Sequence, residues 1–262
     1  GTPYRAMKEA VERGEIGTPL RVSTYGKCDH RGGGEDLMTL GTHLLDLMIF
    51  FFGDPVGVRA ELYTGGAPAL KSERTKTVEE IGPCAGEELF AEFRFANGVR
   101  GTFESCRGLF HYDGGMQTNM GLSVTGTKGI LSERFTDGLP DDPVRICRTP
   151  YPAEYGVPFE LFPVQETRTV PGAVPMDDFV RTVPGIPHTQ FFIGANHFAA
   201  WDLIRAIEED RLPVSNIYNA RRTLEMIYGI YASHLKAGAR VEFPLRNRKH
   251  PLESEPGEES SR

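Results

Sequence analysis

Leu89, Ala91, Phe93 and Phe95 alternate with Glu88, Glu92 and Arg94, and this stretch limits the fold of the chain more than any other. A period of two places the four apolar side chains on one face of a strand and the charges on the other. Asn97-Gly98 follows, a dipeptide suited to a tight hairpin turn, so Val99 to Cys106 is expected to return as the partner strand. Asn119 to Thr125 and Gly129 to Phe135, joined by Gly126-Thr127-Lys128, predict a second hairpin. Successive hairpins build antiparallel sheet. The expected class is therefore α+β, an open, mainly antiparallel β-sheet with helices on one face.

The helices are legible by their ends. Thr2 as N-cap and Pro3 at the first helical position start a short helix that Gly14 stops. A long apolar helix is expected from about Glu35 to Phe52, after Gly32-Gly33-Gly34 and before Gly53-Asp54-Pro55. Two more are expected at Asn196 to Asp210 and Asn216 to Ala237, the last capped by Ser215 and stopped by Gly238, with a final strand at Arg240 to Leu245. Strands are also expected at Leu20 to Thr24 and Val56 to Tyr63. Ten of the 19 prolines lie between Leu139 and His188, which excludes long helices and predicts an insert or arm there. The expected organisation is one domain over residues 1–252 and a disordered acidic tail, Glu253 to Arg262.

Composition removes several function classes. The formal charge is −7, and the tail holds four glutamates against one arginine, which leaves no basic excess to attract nucleic acid. The longest apolar run, Leu44 to Phe52, contains Asp46 and falls far short of a membrane span, so no membrane partner is expected. Cys28, Cys84, Cys106 and Cys147 are widely spaced without a CxxC pair, which reads as reduced thiols in a cytoplasmic protein.

Within the apolar helix, Asp36, Thr39, His43 and Asp46 recur at spacings of three, four and three, one face of an α-helix. Polar groups on a greasy helix must face water, a ligand or each other, because unpaired burial is costly. Two readings stand. In one, Asp36 and Thr39 sit in an exposed first turn while His43 and Asp46 make internal hydrogen bonds. In the other, the stripe lines a site, and His43 moves a proton to or from a hydroxyl undergoing oxidation. Lys27, Asp29, His30 and Arg31 would overhang the helix start, where hydroxyl-rich ligands could be held. Cys28, His30 and His43 do not have metal-site spacing, and no metal is expected.

The segment from the glycine run through Leu40-Gly41-Thr42-His43-Leu44-Leu45-Asp46-Leu47 to Gly53-Asp54-Pro55 resembles the glucose-fructose oxidoreductase, inositol dehydrogenase and rhizopine-catabolism (Gfo/Idh/MocA) family. So do Gly14-Glu15-Ile16-Gly17, the stretch from Ala206 to Pro213, Ala220 to Ser233 and Val241 to Leu245. The resemblance implies the C-terminal domain of a two-domain enzyme, whose N-terminal Rossmann domain binds NAD or NADP and is absent from this chain. No cofactor is then expected on this chain alone. The implied substrate is a small sugar or polyol, the implied assembly a homo-oligomer through the sheet.

The resemblance carries His43 over as the catalytic residue and implies polar substrate contacts in the region of His197, while Lys27, Asp29, Asp36 and Thr39 are expected substrate contacts by their places on the loop and the polar stripe. It also marks a departure: the family's aspartate four residues before the histidine is Thr39 here. Asp36 lies seven residues away, about 10 Å along a helix axis, too far for a direct bond. The principal rival is a carbohydrate-binding or assembly module without redox chemistry. A cofactor-independent hydrolase or lyase ranks last, since no pair of positioned carboxylates and no nucleophile with its base is present.

Overall fold

The structure, a computed structural model, describes residues 1–109, 117–136, 144–151, 156–165, 170–172 and 190–253. The chain divides into two units, one of residues 1–20 and 112–220, the other of residues 21–111 and 221–262.

In the first unit, helix α1 (Thr2–Glu12) buries Tyr4, Met7 and Ala10 at helical spacing. Gly1, not Thr2, is its N-cap, and Gly14 just beyond its end takes φ +76°. The Tyr4 hydroxyl donates to the buried Glu133 carboxylate at 2.8 Å. The strands that follow the first hairpin in sequence, β8 (Gln117–Gly126), β9 (Ile130–Thr136), β10 (Arg145–Cys147) and β11 (Glu160–Leu161), pair antiparallel in that order. The β8–β9 turn clasps the loop after α1: Lys128 N–H donates to the Ile16 carbonyl at 2.8 Å, and Thr127 N–H to the Thr18 carbonyl at 3.0 Å. That turn is consumed by backbone pairing. β10 and β11 come from the proline-rich stretch, where short extended segments are what proline permits; the rest of that expected arm lies largely outside the described residues, as does the tail beyond Glu253.

Helix α4 (Gln190–Glu208) starts six residues before the expected boundary at Asn196, so His197 is inside the helix and not at its mouth. Helix α5 (Ile217–His234) is capped by Asn216 in place of Ser215: Asn216 Oδ1 accepts the N–H groups of Tyr218 and Asn219 at 3.0 and 3.3 Å. Asparagine and serine both cap well, and the sequence could not tell which would take the position.

The second unit holds the sheet that positions the site. β1 (Pro19–Tyr25) pairs parallel with β7 (Arg100–Cys106), which pairs antiparallel with β6 (Glu88–Phe95), and β6 with β2 (Pro55–Thr64). Two short hairpin arms, β3 (Ala67–Pro68) on β2 and β4 (Thr75–Lys76) on β5 (Pro83–Cys84), complete the connections. The alternation read from the sequence is realised, with Leu89, Ala91, Phe93 and Phe95 buried. The register stacks Ala60, Ala91 and Phe103 in one row and Leu62, Leu89 and Ser105 in the next. Burying each large ring is worth about 2–3 kcal/mol. The opposite face carries Arg59, Glu61, Glu88, Arg94 and Glu104, all exposed.

The last strand, β12 (Val241–Glu242), is only two residues long, because Pro244 has no N–H with which to extend the ladder. Beyond it the edge of β2 is closed by α5 side chains. Ser233 Oγ accepts the Ala60 N–H at 2.9 Å, and His234 Nδ1 accepts the Leu62 N–H at 3.1 Å.

The expected helix from Glu35 to Phe52 is two helices, α2 (Gly34–Thr39) and α3 (Gly41–Phe52), interrupted at Leu40. The hydroxyls of Thr39 and Thr42 donate to the carbonyls of Glu35 and Thr39 at 2.9 and 3.0 Å, competing with the backbone ladder where it breaks. No helix among the described residues is long and apolar enough to cross a membrane.

Candidate active site

Where β1 ends, the chain runs through Gly26 to Arg31 into the glycine run and then α2. Asp36, expected to be a substrate contact, points the other way: it is wholly buried. Its Oδ2 accepts the Ser105 hydroxyl at 2.6 Å and the Cys28 N–H at 3.4 Å. Ser105 Oγ in turn accepts the Gly33 N–H at 3.0 Å. One carboxylate and one hydroxyl thus pin the loop after β1, the glycine run and the end of β7 to each other. Burial pushes the Asp36 carboxyl above the ordinary carboxylate range, against the opposing pull of the Ser105 and Cys28 hydrogen bonds. Because the helix is broken and Asp36 lies inside, the four polar residues do not form one exposed stripe.

The glycine run is itself a packing device. Gly33 takes φ +80°, and a Cβ on Gly34 would overlap the Ala85 carbonyl. All three glycines are buried, and Gly34 N–H donates to the Gly86 carbonyl at 2.9 Å. Beneath them the Tyr231 hydroxyl donates to the Gly34 carbonyl at 3.2 Å, and burial holds that phenol far above its ordinary range.

The overhanging loop is braced by Asp29. Its Oδ1 accepts the Arg31 N–H at 2.9 Å, while Oδ2 lies 3.4 Å from Lys27 Nζ and 3.5 Å from the Arg31 guanidinium. Burial works to raise this carboxyl, but the Arg31 N–H and the two cations outweigh it and hold Asp29 below its ordinary value. Lys27 is half-buried and His30 exposed.

His43 stands exposed on the first turn of α3. Asp46 follows three residues later, half-buried. Burial pushes its carboxyl up, and the attraction of His43 opposes that shift. The carboxylate three residues after the histidine is thus the one His43 acts on, whereas the position four before holds Thr39, whose hydroxyl is bonded to its own helix. His197 belongs to the other unit, half-buried in α4 beside Phe198, whose ring carries the Arg5 guanidinium at 5.6 Å.

Ser105 is the residue that sequence reasoning passed over, although it left a signal: it is a hydroxyl in the inward column of β7 that otherwise holds Gly101 and Phe103. Among the described residues no three His, Cys, Asp or Glu side chains gather as a metal site.

The fold has counterparts among solved structures. An NAD binding oxidoreductase from Klebsiella pneumoniae is similar over 92% of this chain and 63% of its own, with 16% identity and a TM-score of 0.60. Levoglucosan dehydrogenase, in complex with NADH and levoglucosan, is similar over 93% and 64%, with 20% identity and a TM-score of 0.59. Aldose-aldose oxidoreductase from Caulobacter crescentus, complexed with glycerol, is similar over 92% and 61%, with 16% identity and a TM-score of 0.58. This chain thus spans less than two thirds of the length of each, and identities this low speak to the fold alone. A search of curated proteins gives no match. Residues 4–132 match the family model described as the GFO/IDH/MocA C-terminal domain, the family that this chain is similar to.

Proposed function

We propose that this chain is the substrate-binding part of an NAD(P)-dependent oxidoreductase acting on a hydroxyl of a sugar, sugar derivative or cyclitol, and that His43 exchanges a proton with that hydroxyl. The observation that carries this reading is the placement of His43: exposed on the first turn of α3, three residues before the half-buried Asp46, and just after α2, which the Asp36–Ser105 hydrogen bond ties to β7. A positioned acid–base group needs that combination of access and fixed support. Lys27 and Thr39 lie on the same segment as candidate hydroxyl contacts. Asp29 acts through Lys27 and Arg31, and Asp36 is reassigned from contact to positioning residue. The expected contact at His197 lies in the other unit and is not assigned to this site. Polyhydroxylated ligands named with similar structures, levoglucosan and glycerol, are of the class proposed.

The glycine-rich turns of the described residues do not fit a dinucleotide. A pyrophosphate needs glycines whose backbone stands open at a helix N-terminus. Here Gly32 to Gly34 are buried against residues 85–87 and 107, and the Gly126 to Gly129 turn is bonded to Ile16 and Thr18. In this reading NAD or NADP is held by polypeptide that the similar structures possess and this chain does not span. Calorimetric titration of this chain with NADH and NADPH is expected to give no heat of binding. Micromolar affinity would place the cofactor site on these residues and overturn the assignment.

Assembly is proposed through the outer face of the second unit's sheet, where Phe90 stands exposed between charged rows. Sedimentation at tens of micromolar is expected to show a dimer or larger, and a monomer mass would refute it. Cytoplasmic residence is proposed on the four free cysteines.

A further inference from the structure

Past β12 the chain turns back along α5. Leu245 and Leu252 are buried, and between them the Arg248 guanidinium reaches Glu225 of α5 at 2.8 Å. His250 is 5% exposed, its ring held against Tyr228 and Tyr231 at centroid separations of 4.8 and 5.4 Å. With these residues anchored, Arg246 and Lys249 are left exposed, and a cavity of about 860 Å³ lies between the returning segment, β12 and the end of α5. None of the residues assigned to the candidate active site lines it.

Charge is the first feature that fits this cavity to an anion. Lys236, Arg240, Arg246 and Lys249 line it against only Glu242 and Glu253, in a chain whose formal charge is −7. Arg240 is neutralised by Glu242 at 2.8 Å, while Lys236, Arg246 and Lys249 form no ion pair among the described residues. Like charges around one cavity repel each other and gain from a counter-ion. A buried donor is the second feature. His250 Nδ1 accepts the Leu252 N–H at 3.1 Å, which puts the ring proton on Nε2. Burial disfavours a second proton on the ring, against the attraction of Glu253. The Nε2–H is buried and has no acceptor among the described residues, which is costly unless a ligand supplies one. Leu235, Val241 and Pro244 add apolar wall that suits a carbon skeleton.

We infer that this cavity is a binding site for a small organic phosphate, separate from the proposed sugar or polyol site. A phosphate monoester carries a charge of about −1.5 to −2 at neutral pH and offers three strong acceptor oxygens. That matches three unpaired cations and one N–H donor better than a singly charged carboxylate does. Such a site requires none of the chemistry proposed for His43.

The test is isothermal titration of this chain with phenyl phosphate, inorganic phosphate and benzoate. Phenyl phosphate is expected to saturate one site with a Kd of about 1 mM or tighter. Inorganic phosphate is expected to bind more weakly for want of the apolar contact, and benzoate for want of the second charge. Arg246→Ala combined with Lys249→Ala is expected to weaken phenyl phosphate about tenfold or more, the scale of charge-assisted hydrogen bonds. Both residues are exposed, so this double variant is expected to unfold at the parent's temperature. His250→Asn keeps an acceptor for the Leu252 N–H and removes the donor at Nε2, and is expected to weaken phenyl phosphate about fivefold. No saturable binding, or equal affinity in the parent and the double variant, would overturn the site. Benzoate binding as tightly as phenyl phosphate would overturn the assignment to phosphate, and undiminished binding by His250→Asn the role given to the histidine. Should His250→Asn fail to fold, the double variant decides alone.

Discussion

Replacing His43 with alanine in the complete protein is expected to lower turnover of its sugar or polyol substrate about 10²-fold, the usual contribution of a positioned acid or base. Thermal unfolding is expected to change little, because the side chain is exposed and contributes little packing. This split between activity and stability distinguishes the two readings of the polar residues. A structural histidine would show the reverse, with a lowered unfolding temperature and turnover intact. Thr39→Asp adds a second arm. The Thr39 hydroxyl is bonded within its own helix and Asp46 already faces the histidine electrostatically. An aspartate at position 39 is therefore expected to give no gain, and a rise in turnover would show that the partner belongs before the histidine.

Asp36→Ala is expected to destabilise the chain by about 3 kcal/mol, measured by denaturant unfolding. The substitution leaves the Ser105 hydroxyl and the Cys28 N–H buried without their acceptor, and unsatisfied groups of this kind cost about 1–3 kcal/mol each. The pH dependence is diagnostic. Burial raises the carboxyl above its ordinary value, so the folded chain holds this proton more tightly than the unfolded one. Its contribution is then fully present below the ordinary carboxylate range, about pH 4, and is lost as pH rises through the raised native value. Asp36→Asn keeps an acceptor for Ser105 and carries no charge. It is expected to fold with near-native stability and to flatten the stability curve above about pH 4 relative to the parent. A parent and an Asn variant with parallel curves would mean that the buried carboxyl titrates as it does in water.

Much of the architecture was legible in local pattern. The alternation from Leu89 to Phe95 and the Asn97-Gly98 turn specify a hairpin with one buried face, because a one-residue slip would turn every ring to water. The apolar helix could be found by content, but its interruption could not. The break at Leu40 involves Thr39 and Thr42 hydroxyls that take backbone carbonyls. Helix starts were read to the correct region and missed in detail, as with Asn216 in place of Ser215, since neighbouring polar residues compete for one cap.

The site divided along the same line. Sequence by itself pointed to the residue proposed to move a proton and set it in a segment with carboxylates nearby, since residue chemistry and helical spacing are local properties. Only the tertiary structure decided which carboxylate is wholly buried. Asp36 faces inward because β7 brings Ser105 to it from 69 positions away, a juxtaposition that no local periodicity encodes. His43 and Asp46 stay three residues apart on α3, as their spacing implied, while burial against β7, not spacing along the sequence, set the role of Asp36.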